Sequence, residues 1–171
     1  MMGDGGPGTR SSRPALALVI EAPGSARETP RWLLVRRPAD DPDLPGAWGL
    51  PAGSHAEGEL DEALVRRIGC EKLGVETEDL GCLGAGHLDR ACRFDRTGHL
   101  DRAGYRLEMR LHAARIVAGE PRVPQPVPGV TQYSEWSWKP PSELQDGADR
   151  GSLCCRLALD LATDGRNRIR A

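Results

Sequence analysis

The stretch LPAGSHAEGELDEALVRRIGCEKLGVE, residues 50–76, changes its hydrophobic period partway along. Its first third is rich in glycine and small residues, which favour a loop. After Glu59 the apolar residues recur at helical spacing, at Leu60, Ala63, Leu64, Ile68 and Leu73. This spacing predicts an amphipathic helix over about residues 60–73, and Gly74 is a typical helix stop.

Short apolar runs flank this loop and helix on both sides. The predicted strands are residues 14–20, 31–37, 80–92, 104–119 and 134–139, and residues 152–162 predict a closing amphipathic helix. Strands that alternate with helices indicate an α/β fold in which helices cover a mixed sheet. We expect a disordered tail at residues 1–13, one domain over 14–165, and a C-terminal tail at 166–171.

Composition limits the classes of partner. The formal net charge is −2, so no basic field points to extended nucleic acid or to an anionic membrane. The five cysteines contain no C-x-x-C pair, which argues against a disulfide framework and against a zinc site. We therefore expect a cytoplasmic protein with reduced cysteines, and a homodimer is compatible with the sequence.

The spacing of Gly53, Glu59, Arg67, Glu71 and Gly74 resembles the box of the Nudix family, G-x5-E-x7-R-E-U-x-E-E-x-G-U, where U is aliphatic. The flanking segments LLVRR, LPGAWGLPAG and SEWSWKPPSEL also resemble those of MutT-like Nudix hydrolases. The resemblance implies a Nudix-type α/β/α sandwich with a mixed sheet. It also implies divalent-metal-dependent hydrolysis of a nucleoside-linked or other X-linked diphosphate, so that the partner is a small-molecule nucleotide or diphosphate metabolite.

The box departs from the family pattern at three positions. Ile68 and Lys72 stand where the family has glutamates, and Gly69 stands where it has an aliphatic residue. On an α-helix, positions 68, 71 and 72 share one face, so three glutamates there would converge on a metal cluster. Only Glu71 remains. The loss suggests an alternative function, a degenerate Nudix domain that binds a nucleotide or phosphorylated metabolite without hydrolysing it.

The resemblance assigns catalytic roles to Glu71 and Arg67. We expect Glu59, Glu71 and Glu135 to hold one weakly bound Mg²⁺ or Mn²⁺. Glu120 is the second choice, after Glu135, for the metal-binding glutamate from the later part of the chain. An equal alternative is that Glu59 and Arg67 only pair with each other and stabilise the loop and helix.

Four residues are predicted to bind substrate. The flexible ammonium of Lys72 suits a phosphate, and Gly53 would contribute its backbone. His55, in the loop of the box, would contact a phosphate or leaving group. The simpler interpretation is that His55 is an exposed loop residue with no role in binding. Trp136 would stack on a base and Trp138 would be a core residue on the same strand face.

The segment GHLDRA occurs twice, at residues 86–91 and 98–103. The histidines and aspartates of the two copies, His87, Asp89, His99 and Asp101, would suit a metal if the copies paired with each other. A solvated hairpin that arose by duplication is the simpler hypothesis.

Overall fold

The computed structural model describes residues 11–90, 93–94, 100–101, 104–129 and 132–167. The strands in these ranges are β1 (Ser11–Ile20), β2 (Trp32–Arg36), β3 (Trp48–Gly49), β4 (Ala52–Ser54), β5 (Glu76–Arg90), β6 (Arg93–Phe94), β7 (Leu100–Asp101), β8 (Tyr105–Ala118) and β9 (Glu135–Lys139). The helices are α1 (Asp61–Ile68), α2 (Gln145–Asp149) and α3 (Leu153–Asn167), with a π-helical turn at Gly69–Leu73 and a 3₁₀ turn at Pro141–Leu144. None of the helices in these ranges is long and apolar enough to cross a membrane.

Two sheets form the centre of the fold. The larger has the strand order β4-β1-β8-β5, with β1 parallel to β8 and the other neighbours antiparallel. The smaller is antiparallel and has the order β3-β2-β9. A further short pair joins β6 to β7. The larger sheet is therefore mixed, as predicted.

Side-chain alternation divides the core into two layers. On one side Leu16, Leu18, Leu33 and Val35 pack in a cluster with residues of α1. On the other side their neighbours along the same strands, including Ala17 and Leu34, pack with residues of α2 and α3. Successive residues of a strand point to opposite faces, so helices cover both faces of the strands. This arrangement confirms the α/β/α sandwich.

The helix of the box changes character at Gly69. The regular helix ends at Ile68, the chain continues as the wider π-helical turn, and Gly74 closes it with a left-handed backbone at φ 67°. A Cβ at residue 69 would lie 2.4 Å from Oγ1 of Thr77, which donates a 2.8 Å hydrogen bond to the carbonyl of Val65. A glycine inside the predicted helix is therefore explained by the close approach of Thr77.

We expect Gly69→Ala to lower the free energy of unfolding by about 2 kcal/mol, because the new methyl group overlaps a buried side chain that cannot move without breaking its hydrogen bond. Urea unfolding measures the change. Cys70→Ala, at the exposed neighbouring position, is the matched control and should stay within about 0.5 kcal/mol of wild type. The double variant Gly69→Ala/Thr77→Ala should lose less free energy of unfolding than the sum of the losses in the two single variants. Strict additivity would contradict the packing argument.

The ends of the described domain differ slightly from the predicted boundaries. Strand β1 begins at Ser11, before the predicted start at residue 14, because its register with β8 extends to the pair of Ser11 and Tyr105. Backbone pairing of this kind needs no apolar side chain, so the apolar run alone underestimates the strand. Helix α3 reaches Asn167, past the predicted end of the closing helix at residue 162 and past the predicted end of the domain at residue 165.

The two GHLDRA copies have different partners where they are described. The first copy belongs to β5 and pairs with β8, where Asp89 accepts a 2.9 Å hydrogen bond from Nε of Arg106. In the second copy Leu100–Asp101 pairs with Arg93–Phe94, whereas His99 lies outside the described residues. The described parts of the two copies therefore do not pair with each other.

Candidate functional site

Arg67 and Glu59 form a bidentate ion pair that closes the box loop onto its helix. Nε of Arg67 donates to Oε1 of Glu59 at 2.7 Å and Nη2 donates to Oε2 at 2.8 Å. Nη2 also donates to the carbonyl of Ser54 at 2.7 Å, and the N–H of Ala56 donates to Glu59 at 2.9 Å. The hydrogen bonds from Arg67 lower the pKa of Glu59 to about 2. Because both oxygens of Glu59 are engaged, the geometry supports its structural role and does not offer it as a metal ligand.

Glu71 is held much more loosely than Glu59. Its Oε2 accepts one long contact, 3.4 Å, from Nη1 of Arg67, and 29% of its side chain is exposed. Its backbone carbonyl accepts a 3.4 Å hydrogen bond from the Gln132 amide. Within the described residues its second carboxylate oxygen has no hydrogen-bond partner. Glu71 is therefore the carboxylate of the box that is available to a ligand.

Lys72 lies against Tyr133, in the loop that precedes β9. Its Nζ is 5.1 Å from the ring centre of Tyr133, within cation–π range. Tyr133 is buried, and its hydroxyl accepts a 3.0 Å hydrogen bond from the N–H of Ala52. Burial raises the pKa of Tyr133 to about 12, so the phenol stays protonated at physiological pH. The contact places the Lys72 ammonium beside the ring of Tyr133, and its binding of phosphate remains a prediction.

Position 68 does not share the face of Glu71, which corrects the expectation that positions 68, 71 and 72 converge. Ile68 is 1% exposed, and a Cβ on Gly53 would lie 3.1 Å from its Cγ1. The π-helical turn that follows Ile68 has more residues per turn than an α-helix, so the angular spacing assumed for the helix does not apply. Gly53 therefore makes room for the packing of Ile68.

The predicted metal set of Glu59, Glu71 and Glu135 is not brought together. Glu135 pairs with Arg36 at 3.3 Å, and the alternation along β9 turns it away from Trp136, which packs with the layer that contains α1. Glu135 thus points to the layer opposite the box helix. Among the described residues, no three His, Cys, Asp or Glu side chains could hold a metal together.

Trp136 and Trp138 lie on one face of β9, as predicted. Their ring centres are 5.9 Å apart and their planes are nearly perpendicular. Both are half-buried, and both line a 640 Å³ cavity that Glu120 also lines. The structure therefore places Trp136 and Glu120 on the same cavity. Stacking of Trp136 on a nucleotide base remains a prediction.

Sequence reasoning missed a partly buried network around Asp61. Nε2 of His55 is 2.8 Å from Oδ1 of Asp61, and Nη1 of Arg110 donates to Oδ2 at 2.5 Å. His112 lies between two carboxylates, with Nδ1 2.9 Å from Asp79 and Nε2 3.3 Å from Asp61. The side chain of His55 is only 8% exposed, so the interpretation of His55 as an exposed loop residue is wrong. The network ties the box loop to β5 and β8.

Asp61 is ionised within this network. Burial by itself would raise the pKa of Asp61, but hydrogen bonds from His55 and Arg110 outweigh burial and lower it. The sequence contained no clear signal of the network, because His112 continues the side of β8 that carries Arg106, Glu108 and Arg110, although His112 itself is buried. A buried histidine in a sheet needs a polar partner, but its partners are distant along the chain and only folding reveals them.

Comparisons with known proteins agree with this geometry. Residues 12–154 match the family described as NUDIX domain. A Mycobacterium tuberculosis protein provisionally named 8-oxo-dGTP diphosphatase 2 is 30% identical over 123 residues, which cover 70% of this chain and 74% of that protein.

Solved structures share the fold. A MutT Nudix hydrolase from Burkholderia pseudomallei superposes with a TM-score of 0.59 at 25% identity, over 89% of this chain and 98% of that chain. The Nudix domain of NrtR from Shewanella oneidensis, solved with ADP-ribose, superposes with a TM-score of 0.51 at 19% identity, over 94% of this chain and 90% of the other. The match over most of the chain, with the braced loop and helix of the box, shows that this protein belongs to the Nudix family.

Proposed function

We propose that this protein hydrolyses a nucleoside-linked diphosphate, with Glu71 at the centre of the site. The observation that carries the proposal is the loosely held, partly exposed carboxylate of Glu71 at the end of a loop and helix that Arg67 and Glu59 hold in place. The name of the Mycobacterium relative and the ADP-ribose in the NrtR structure both refer to phosphate-linked nucleosides, which supports a substrate of this class.

The acids of the box fit one metal ion better than a cluster. Nudix hydrolases generally use divalent metal cations. Magnesium commonly binds through one or two carboxylates together with substrate phosphates, and Glu71 supplies one such carboxylate. We infer that Mg²⁺ or Mn²⁺ is held weakly, by Glu71 and the substrate together. When bound, such an ion offsets phosphate charge and lowers the pKa of an attacking water.

The protein groups around Glu71 have separate tasks in this proposal. The ammonium of Lys72 replaces part of the missing metal charge by binding a phosphate oxygen. Arg67 is a positioning residue, because it holds the loop through Glu59 and touches Glu71 at 3.4 Å. The backbone around Gly53 faces the phosphates, and His55 positions the loop through Asp61.

A turnover screen of nucleoside-linked diphosphates with Mg²⁺ and Mn²⁺, read by mass spectrometry, tests the proposal. We expect Glu71→Gln to lower kcat/KM by about 10- to 100-fold, because it removes the protein's charge on the metal but keeps the shape of the side chain. Glu76→Gln, exposed just beyond the box, is the matched control and should retain wild-type turnover. Equal turnover by both variants would exclude a role for Glu71.

A binding-only protein is the second candidate, and the buried Ile68 at an acidic position of the family favours it. This candidate predicts saturable nucleotide binding in calorimetry without turnover of any substrate in the screen. Turnover that depends on Glu71 would rule it out.

The proposal also includes a cytoplasmic location, and the homodimer remains a prediction from the sequence. Four cysteines in the described residues are free thiols: Cys70, Cys82, Cys154 and Cys155. Free thiols are usual in a reducing compartment, which supports the cytoplasm.

A further inference from the structure

A cavity of 640 Å³ opens between the end of β1, the end of β8 and strand β9. Trp136 and Trp138 form two of its walls, with ring planes at 89° to each other, so that the two indoles make a corner. Ile20, which is 1% exposed, contributes to the apolar base. The volume lies in the range of small-molecule sites, roughly 300–1,000 Å³. Among the described residues that line it, neither Glu71 nor Lys72 appears, so the cavity is separate from the box acid.

The charged groups of this cavity are mainly acidic. Glu21 at the end of β1 and Glu120 after β8 both line it, and both are exposed. Neither side chain forms a hydrogen bond or an ion pair with another described residue. Arg115 also lines the cavity, but its Nε donates to Glu78 at 2.5 Å, so its charge is already balanced. The cavity therefore presents two carboxylates without a counter-charge beside two aromatic rings.

We propose that this cavity binds an alkylated ammonium cation, of which choline is the simplest probe. Indole faces attract cations through the ring quadrupole, and a corner of two aromatic rings is the arrangement that recognises quaternary ammonium groups. The carboxylates of Glu21 and Glu120 add attraction for positive charge and oppose the entry of phosphate. A quaternary ammonium also carries no N–H group and needs no hydrogen-bond acceptor inside the apolar corner. The site goes beyond the proposed hydrolysis and does not depend on it.

Titration of the full chain with choline, followed by calorimetry and tryptophan fluorescence, tests the proposal. The matched probe is 3,3-dimethylbutan-1-ol, which has the same shape as choline without its charge. We expect saturable binding of choline, and binding of the neutral alcohol weaker by about tenfold or more. Equal affinity for the two compounds would show that the cavity binds apolar groups without selecting for positive charge, which would overturn the proposal. The absence of saturable choline binding would overturn it as well.

Variants locate the binding in the cavity. We expect Trp136→Leu and Glu120→Gln each to weaken choline binding by about fivefold or more. Trp48→Phe and Glu28→Gln, whose positions do not line the cavity, should bind choline like wild type. If Trp136→Leu fails to fold, the exposed pair Glu21→Gln and Glu120→Gln still tests the charge. Unchanged binding in these variants, or displacement of choline by adenosine monophosphate, would overturn the assignment.

Discussion

Replacing Ile68 with glutamate, the residue of the Nudix pattern at that position, is expected to destabilise the protein by about 3–5 kcal/mol and to rebuild no metal site. The side chain of Ile68 is 1% exposed and packs in the core layer that contains Leu64 and Leu18. A carboxylate there would have to be buried without a cationic partner, or be protonated at a large cost. Urea unfolding at neutral pH measures the loss.

Lys72→Glu is the matched control for this prediction, because it introduces the other missing glutamate of the box at a half-buried position. We expect its stability to stay within about 1 kcal/mol of wild type. We also expect Mn²⁺ to bind more tightly, because the new carboxylate adjoins Glu71 and a positive charge is removed. An Ile68→Glu protein as stable as wild type that also gained Mn²⁺ affinity would contradict the observed orientation of residue 68.

Replacing Arg67 with alanine is expected to lower the free energy of unfolding by about 3 kcal/mol at pH 7. The substitution removes both hydrogen bonds to Glu59 and the one to the carbonyl of Ser54. It leaves the carboxylate of Glu59, whose side chain is only 12% exposed, without its counter-charge. Arg66→Ala is the control, because Arg66 pairs with Glu62 on the exposed side of the same helix and should cost less than about 0.5 kcal/mol.

The effect of Arg67→Ala should depend on pH. The pKa of Glu59 is lowered in the folded protein, from its ordinary value of 4.5 to about 2. A lowered carboxylate pKa contributes stability that is fully present above pH 4.5 and is lost as the pH falls toward 2. The difference between wild type and Arg67→Ala should therefore shrink over this range of pH, whereas the Arg66→Ala control should show little change. A difference that stays constant from pH 7 to pH 2.5 would exclude the ion pair as its source.

Local features were predictable from the sequence because they depend on neighbours along the chain. The helical spacing from Leu60, the stop at Gly74 and the apolar runs of β1 and β2 all reflect local periodicity and backbone preference. The spacing of Gly53, Glu59 and Arg67 also identified the family, and the ion pair of Glu59 with Arg67 was one of the two alternatives it left open.

The tertiary structure alone decided which side chains share a site. Glu135 faces the opposite layer from Glu71 because its direction is set by the register of β9 with β2. His55 is buried because Asp61, His112 and Asp79 meet only when the helix packs on the sheet. The angle between Ile68 and Glu71 depends on the π-helical turn that separates them, where Thr77 packs against Gly69. Sequence periodicity carries information about each element separately, whereas burial and pairing across elements depend on how those elements pack together.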